Sequence, residues 1–396
     1  TVDALVHPGE DTVLPDRVRQ PERVCVVGGG VMGGFIAYRL ACEGVAVSIL
    51  ERTRLAGGAS GASAGNVQTL SSGFSGFKIN LGQESLDLYR KLLPSIKEES
   101  GIDPLDQEVR YLYAAMDEEQ VVGIRGEESQ LLREGMKVEW IDGQAARDLE
   151  PRLSPHLLGG LLHSDCVQMD GGRFVTALSR AAQQRGAYVA GSEVVGLELS
   201  GNRVTGVRRK DGTVLHSDLV ILAMGAWIGP ALWDWLNASL PILPQSLQKI
   251  HLFTGDNPLN CAVRWDGVNM VSRRDGMTHI GSKRDPFGFD PHPTEEGRRW
   301  LLERATTILP GLNATVAEAW AGCAVTTPEN IPIFGPLDEF EGLFVACPGP
   351  DGFLLAAVLA EVLTNFLIRG EKHSFLEEMS PQKAAARVTS GFPPAE

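Results

Sequence analysis

Apolar positions in this chain follow two periods, and the switches between them mark its elements. Val24–Val27 is an unbroken apolar run. Three glycines follow, then a small-residue stretch with helical spacing, then a second apolar run ending at Glu51. That order predicts strand, turn, helix and strand over residues 23–51. Helical spacing returns over Gly82–Glu99 (Leu86, Leu88, Leu92, Leu93, Ile96) and over Arg173–Arg185 (Phe174, Ala177, Leu178, Ala181). A meander follows: Val194–Leu199, the turn Gly201-Asn202, Val204–Arg208, the turn Asp211-Gly212, and the buried strand Asp218–Met224. Between 240 and 325 the pattern is short strands split by Asp-Gly turns at 266–267 and 275–276, then a helix over Glu295–Leu309. Strands are also predicted at Val138–Ile141 and Leu343–Ala346, and helices at Gln144–Leu149 and Phe353–Ile368. A nucleotide fold made from separated pieces (23–74, 166–235 and 326–372) emerges. A β-rich (α+β) part, 75–165 and 236–325, covers it. Residues 1–22 read as a surface arm and 373–396 as a tail. The predicted class is α/β, Rossmann-like and non-contiguous.

The first unit also carries chemistry. Gly28, Gly30 and Gly33 form G-x-G-x-x-G, and Glu51 stands 23 positions after Gly28. The first glycine permits the tight turn, the second admits a pyrophosphate to the backbone, and the third lets helix and strand approach. Val31 and Met32 open the helix, whose free N–H groups favour phosphate. Glu51 can accept from ribose hydroxyls. A glycine turn without a ligand is the structural alternative, but the apolar strand before it and the acid after it favour a dinucleotide.

Composition narrows the class. The chain has 396 residues, 43% hydrophobic and 22% charged, enough for a large core without covalent staples. A net charge of −14 argues against nucleic acid as a partner. The six cysteines are scattered with no metal-ligand spacing, so no metal is expected and a reducing, cytoplasmic setting is. Residues 1–22 lack an apolar signal core, and Gly352–Ile368, interrupted by Glu361, Thr364 and Asn365, reads as too short and polar to span a bilayer. His163 and Asp165 read as a solvated loop.

Five segments in order resemble the D-amino acid oxidase family of FAD-dependent oxidoreductases, which includes glycine and sarcosine oxidases and the flavin subunits of opine and cyanide-forming enzymes. They are VCVVGGGVMGG…ILER, GASGASAGN, MDGGRFVTALSRAAQQRGA with GSEVVGLEL, LVILAMGAW, and TTPENIPIFGP…GLFVACPGPDGFLLA. The resemblance implies FAD. It places Gly28, Gly30 and Gly33 on the pyrophosphate, Glu51 and Arg52 at the adenosine ribose, and Val194 at the adenine. Ser60, Ala64, Gly65 and Asn66 fall at the flavin ring, Ala223, Gly225 and Trp227 in the A-x-G-a-W turn, and Pro350, Asp351, Gly352, Phe353 and Leu354 at the flavin's N1–C2=O edge. It also implies hydride transfer from an amine-bearing carbon to flavin N5, giving an imine that hydrolyses.

Two departures bear on substrate. The family's carboxylate-binding Arg, in an Arg-Pro pair, is replaced here: Ala324 stands in its place. Arg264, Arg273, Arg274, Lys249 and Lys283 are candidate substitutes. His279 lies in the strand that bears a lysine over the flavin in monomeric sarcosine oxidases, so it is a candidate for oxygen reactivity or substrate binding, with His251 a weaker one. Cys323 and Cys347 are weighed for a covalent flavin link. The electron acceptor is either O2 or a partner subunit or quinone, which would make the chain part of a hetero-oligomer. The expected substrate is an amino acid, an N-substituted amino acid or an opine-like imino acid. A non-catalytic FAD-binding module is the rival from another class. A nicotinamide dehydrogenase has no use for the second glycine loop.

Overall fold

A computed structural model of the chain describes residues 20–70, 77–285, 288–289 and 291–387. The expected arm over 1–22 therefore lies almost wholly outside the described residues. A six-stranded sheet runs in the order Ile333–Pro336, Leu343–Cys347, Leu219–Leu222, Arg23–Val27, Ala46–Glu51, Tyr188–Gly191. All neighbours are parallel except the edge strand Ile333–Pro336. Its central strands Arg23–Val27, Leu219–Leu222 and Leu343–Cys347 are largely apolar because both faces are covered. Val24, Val26, Ile49 and Ile221 face the helices Val31–Cys42, Phe77–Ser100, Gly171–Gln184 and Gly352–Arg369. Cys25, Val27, Val220 and Val345 face the meander Val194–Ser200, Arg203–Arg209, Val214–His216. The separated pieces thus meet in one Rossmann-like α/β layer, as the hydrophobic pattern predicts.

A second, larger sheet lies against the carboxyl ends of these strands. It follows the order Thr315–Thr326, Leu243–Phe253, Met277–Arg284, Val268–Ser272, Ala262–Trp265, Gln107–Ala115, Gly159–Gln168, Asn66–Gln68, with Val138–Asp142 also paired to Gly159–Gln168. Strand alternation separates its faces. Leu112, Ile250, Leu252, Val263, Met270 and Ile280 cluster with Leu301 and Ala305 of the helix Glu295–Ile308. The residues between them point the other way, toward the dinucleotide layer. The Asp-Gly turn at 266–267 takes positive φ at both residues (44° and 78°), the geometry that closes a two-residue hairpin.

Several expectations change. The helix expected over Gly82–Glu99 spans Phe77–Ser100 and packs beside the helices Val31–Cys42 and Gly352–Arg369, on the dinucleotide layer. His163 and Asp165 lie in the strand Gly159–Gln168 and not in a solvated loop. His163 is buried between Thr69 and Cys166, and Asp165 pairs with Arg90 and Lys137. Part of the expected tail is built in: Leu376 and Met379 are buried, the Met379 carbonyl accepts from Phe334 N–H, and Pro381–Ala386 is helical. The apolar stretch is longer than its sequence suggests. Gly349–Arg369 is long and apolar enough to cross a membrane, and here it is mostly buried among the other core helices.

Candidate active site

The glycine turn sits where the parallel sheet changes winding direction, between the strands ending at Val27, Glu51 and Leu222, the place where such sheets bind ligands. Gly28 has φ +113°, and a Cβ on it would lie 2.7 Å from the Ala223 carbonyl oxygen. A Cβ on Gly33 would lie 2.0 Å from the Gly28 oxygen, so only glycine lets this helix approach its strand. The helix Val31–Cys42 begins at Gly30, which has no side chain to cap it, and has no acid in its first turn. Such an end suits an anion. Ser60 Oγ accepts from Val31 N–H at 3.0 Å, tying the second glycine loop to the first. Glu51 accepts from Gly29 N–H at 2.8 Å through one oxygen and from the Thr53 N–H and hydroxyl through the other, which leaves one acceptor site on the first oxygen at the expected ribose position. Val194 opens the meander two residues after Ser192, whose N–H donates to the Glu51 carbonyl at 2.7 Å. Arg52 lies 4.4 Å from the Trp227 ring centroid, over the turn Gly225–Trp227.

The other end of the crevice is formed by the loop around Ala62–Asn66 and the turn Gly349–Asp351. Gly65 has φ +70°, and a Cβ there would lie 1.8 Å from the Met169 oxygen. Asn66 Oδ1 is buried with no hydrogen-bond partner among the described residues, an acceptor left open at the expected ring position. Asp351 and Gly352 start the helix Gly352–Arg369, where the Asp351 side chain does not cap the helix and the first turn carries no acid. Two helix N-termini whose own N-cap residues make no side-chain cap, an acid at the end of the second strand and an orphaned amide oxygen fit FAD.

The inner face of the larger sheet closes over this loop. A Cβ on Gly322 would lie 2.4 Å from Ala62 Cβ. Trp320 and Ala324, two residues to either side, share that face by alternation. Lys249 pairs in register with Trp320 and Gly281 and donates to the Ala62 carbonyl. His251 and His279 face each other, Nε2 to Nδ1, at 3.2 Å. Further along, Asn269, Tyr111 and Tyr113 complete the face, with Arg264 5.6 Å from the Tyr113 ring centroid. The Tyr111 hydroxyl and Asn269 Oδ1 are buried without partners among the described residues.

Of the five cations proposed to replace the missing Arg, three are committed to carboxylates. Arg273 holds Asp170 and Asp275, Arg274 holds Asp103, and Lys283 holds Asp285. Lys249 and Arg264 stay on the inner face. Burial pulls the Lys249 amine down to about 7. His279 falls well below its usual value, first from burial and then from Lys249, His251 and Arg273. Phe353, expected at the chemistry, turns its ring away: it packs against Phe174 and Tyr89 in the helix layer, so only its backbone faces the crevice turn. The side chains of Leu354 and Met32 are likewise buried. Burial pushes the thiol of Cys347 up to about 12, and that of Cys323 up to about 11. Cys323 alternates with Gly322 and so points off the inner face. Tyr111, Tyr113, Asn269 and Trp320 were not singled out by sequence reasoning. For the two tyrosines the alternation Val109–Tyr111–Tyr113 was a signal, and it does not reveal which layer the strand faces.

A Rossmann-like layer with two glycine loops, roofed by a sheet whose inner face meets the second loop, defines a flavin-dependent oxidoreductase. The chain belongs to the DAO family, FAD dependent oxidoreductase, whose model matches residues 23–366. It is 32% identical over 353 residues to the glycine oxidase of Pseudomonas aeruginosa, covering 87% of this chain and 94% of that protein. The structure of glycine oxidase from Geobacillus kaustophilus superposes with a TM-score of 0.85 at 26% identity, covering 92% of this chain and 99% of that one. Iminodiacetate oxidase from Chelativorans sp. BNC1 gives 0.83 at 25% identity, over 91% and 99%. FAD is the cofactor, and the protein is an enzyme of the amine- and amino-acid-oxidising class.

Proposed function

We propose that the enzyme oxidises the C–N bond of an amino acid or an N-substituted amino acid, giving an imine that water hydrolyses. The observation that carries this is the inner face at Lys249, His279, Trp320, Gly322 and Ala324, set directly against the loop at Ala62. FAD supplies the hydride acceptor. Gly28, Gly30 and Gly33 hold its pyrophosphate, Glu51 its ribose, and Asn66 with the Asp351–Gly352 turn its ring. The protein's own residues exclude water by roofing the crevice with the larger sheet, orient the substrate, and hold its nitrogen in the neutral form. Ala324 leaves room where an Arg fork would stand, which suits a substrate with a larger group on nitrogen.

The test is anaerobic bleaching of the bound flavin by a panel of glycine, D-amino acids, N-methyl amino acids, imino diacids and simple amines. Bleaching by carboxylate-bearing amines and not by simple ones supports the reading. A flavin that no amine bleaches defeats it. Peroxide formation on readmitting air identifies O2 as the acceptor.

A further inference from the structure

The larger sheet carries a line of titratable side chains for which hydride transfer alone has no use. Lys249 is its inner end. The residue is 6% exposed, its nitrogen donates to the Ala62 carbonyl, and it lies 5.2 Å from the Trp320 ring centroid. Among the described residues no carboxylate forms an ion pair with it, and burial is the one resolved influence on its amine. Gly281 makes the next link: a Cβ there would lie 2.8 Å from His279 Nε2 and 2.9 Å from Lys249 Cγ, so ring and lysine stem share the space over that glycine. His279 Nδ1 lies 3.2 Å from His251 Nε2, and His251 Nδ1 lies 3.5 Å from Glu318 Oε2. The Glu318 side chain is 64% exposed. The side chains therefore extend from solvent at Glu318 to the His279 ring beside the stem of Lys249, whose amine lies at the Ala62 carbonyl. The other charges near it are committed elsewhere, Arg273 to Asp170 and Asp275 and Lys283 to Asp285.

We propose that Lys249 is the base that takes the proton from the substrate's ammonium group, and that His279, His251 and Glu318 pass that proton to solvent. The proposal rests on the amine-oxidising function above. An ammonium nitrogen has no lone pair with which to form a C=N bond, so hydride loss from carbon requires its deprotonation first. In the step, one N–H bond of the substrate breaks and its electron pair stays on the substrate nitrogen. A new N–H bond forms on the Lys249 nitrogen, and no redox change occurs. The proton then enters His279 at Nε2 while its Nδ1 proton moves to His251 Nε2, and the His251 Nδ1 proton leaves toward Glu318. A lysine that is neutral near pH 7 can accept this proton, and burial has brought Lys249 into that range.

Two measurements test it. In protein labelled with [6-13C]lysine, one resonance is expected to titrate near pH 7 and to be missing from Lys249→Met. If no lysine titrates well below the ordinary range, the proposal fails. In anaerobic stopped flow with glycine and N-methylglycine, flavin reduction by the wild type is expected to rise with pH through about 7. In Lys249→Met the rise should move toward the substrate amine's own range, with a loss of roughly 100-fold at neutral pH that alkaline pH recovers. His279→Asn, which retains a side chain of similar polarity, should slow reduction at neutral pH with the visible flavin spectrum unchanged. A Lys249→Met enzyme with a wild-type reduction profile but slow reoxidation by air overturns the proposal in favour of a role toward oxygen. If no amine in the wider panel bleaches wild-type flavin, the functional reading itself has failed, a result distinct from bleaching whose pH profile ignores Lys249.

Discussion

At single residues, the crevice is shaped by atoms that are missing. Gly33 has no Cβ because one would sit 2.0 Å from a backbone oxygen that cannot rotate away. Gly33→Ala is expected to cost about 3 kcal/mol and to lose the visible flavin band, read from the urea midpoint and the absorbance of the purified protein. Lys249 sits at the opposite extreme, a group whose burial is unfavourable. Its amine titrates at about 7 in the folded chain against 10.5 when free. Between those values the unfolded chain binds more protons, so this residue's penalty is complete below pH 7 and fades as pH rises to 10.5. Lys249→Met should therefore be more stable than wild type by about 4 kcal/mol at neutral or lower pH, with the gap closing as the solution becomes alkaline. A difference that does not change with pH would show that Lys249 is solvated. The glycines and Glu51 were legible because their spacing is itself the geometry. Phe353 and His163 were misread because a residue's neighbours in sequence do not tell which layer its side chain enters.

Among elements, the joint between the two layers is concentrated at Asp170. Its carboxylate accepts from Arg173 N–H at 2.7 Å, capping the helix Gly171–Gln184, and its other oxygen holds Arg273 of the larger sheet at 2.7 Å. One side chain therefore both starts a dinucleotide-layer helix and fastens the roof to it. Asp170→Ala is expected to cost about 1 kcal/mol for the cap and a further ~1–2 kcal/mol for leaving the half-buried guanidinium with Asp275 alone. Asp170→Ser keeps a capping hydroxyl and should lose only the second part. Equal losses in the two variants, measured by chemical denaturation, would show that the ion pair carries the whole effect. Helices and the dinucleotide strands were legible as elements because their periods are long or unbroken and their ends are marked, as Asp-Gly marks 266–267. Gln107–Ala115, Gly159–Gln168 and Thr315–Thr326 were not, since their partners lie far away in sequence and their polar inner faces, which build the site, weaken the apolar alternation. The sequence pattern is least clear in the strands that carry the site.

In the whole molecule, the crevice joins segments that the chain order keeps apart. Gly28, Glu51, Val194, Ala223 and Asp351 come from five stretches between residues 28 and 351 and converge on one crevice. A ligand that touches all five binds only the assembled fold, so it must stabilise the whole by mass action. Removing FAD from the purified enzyme is expected to lower its thermal midpoint. Adding it back should raise the midpoint with the logarithm of its concentration, a gain of about 2.7 kcal/mol at a hundredfold excess over the dissociation constant. NAD shares the adenosine and pyrophosphate but offers nothing to Asn66 or to the Asp351–Gly352 turn, so it should give a much smaller shift. Gly33→Ala should give none with either. A shift with NAD equal to that with FAD would mean that the glycine turn and Glu51 supply all the affinity and that the second loop does not hold a ring. A large FAD shift with a small NAD shift would place the discriminating contacts at residues 60–66 and 350–354, under the roof formed by Trp320, Gly322 and Lys249.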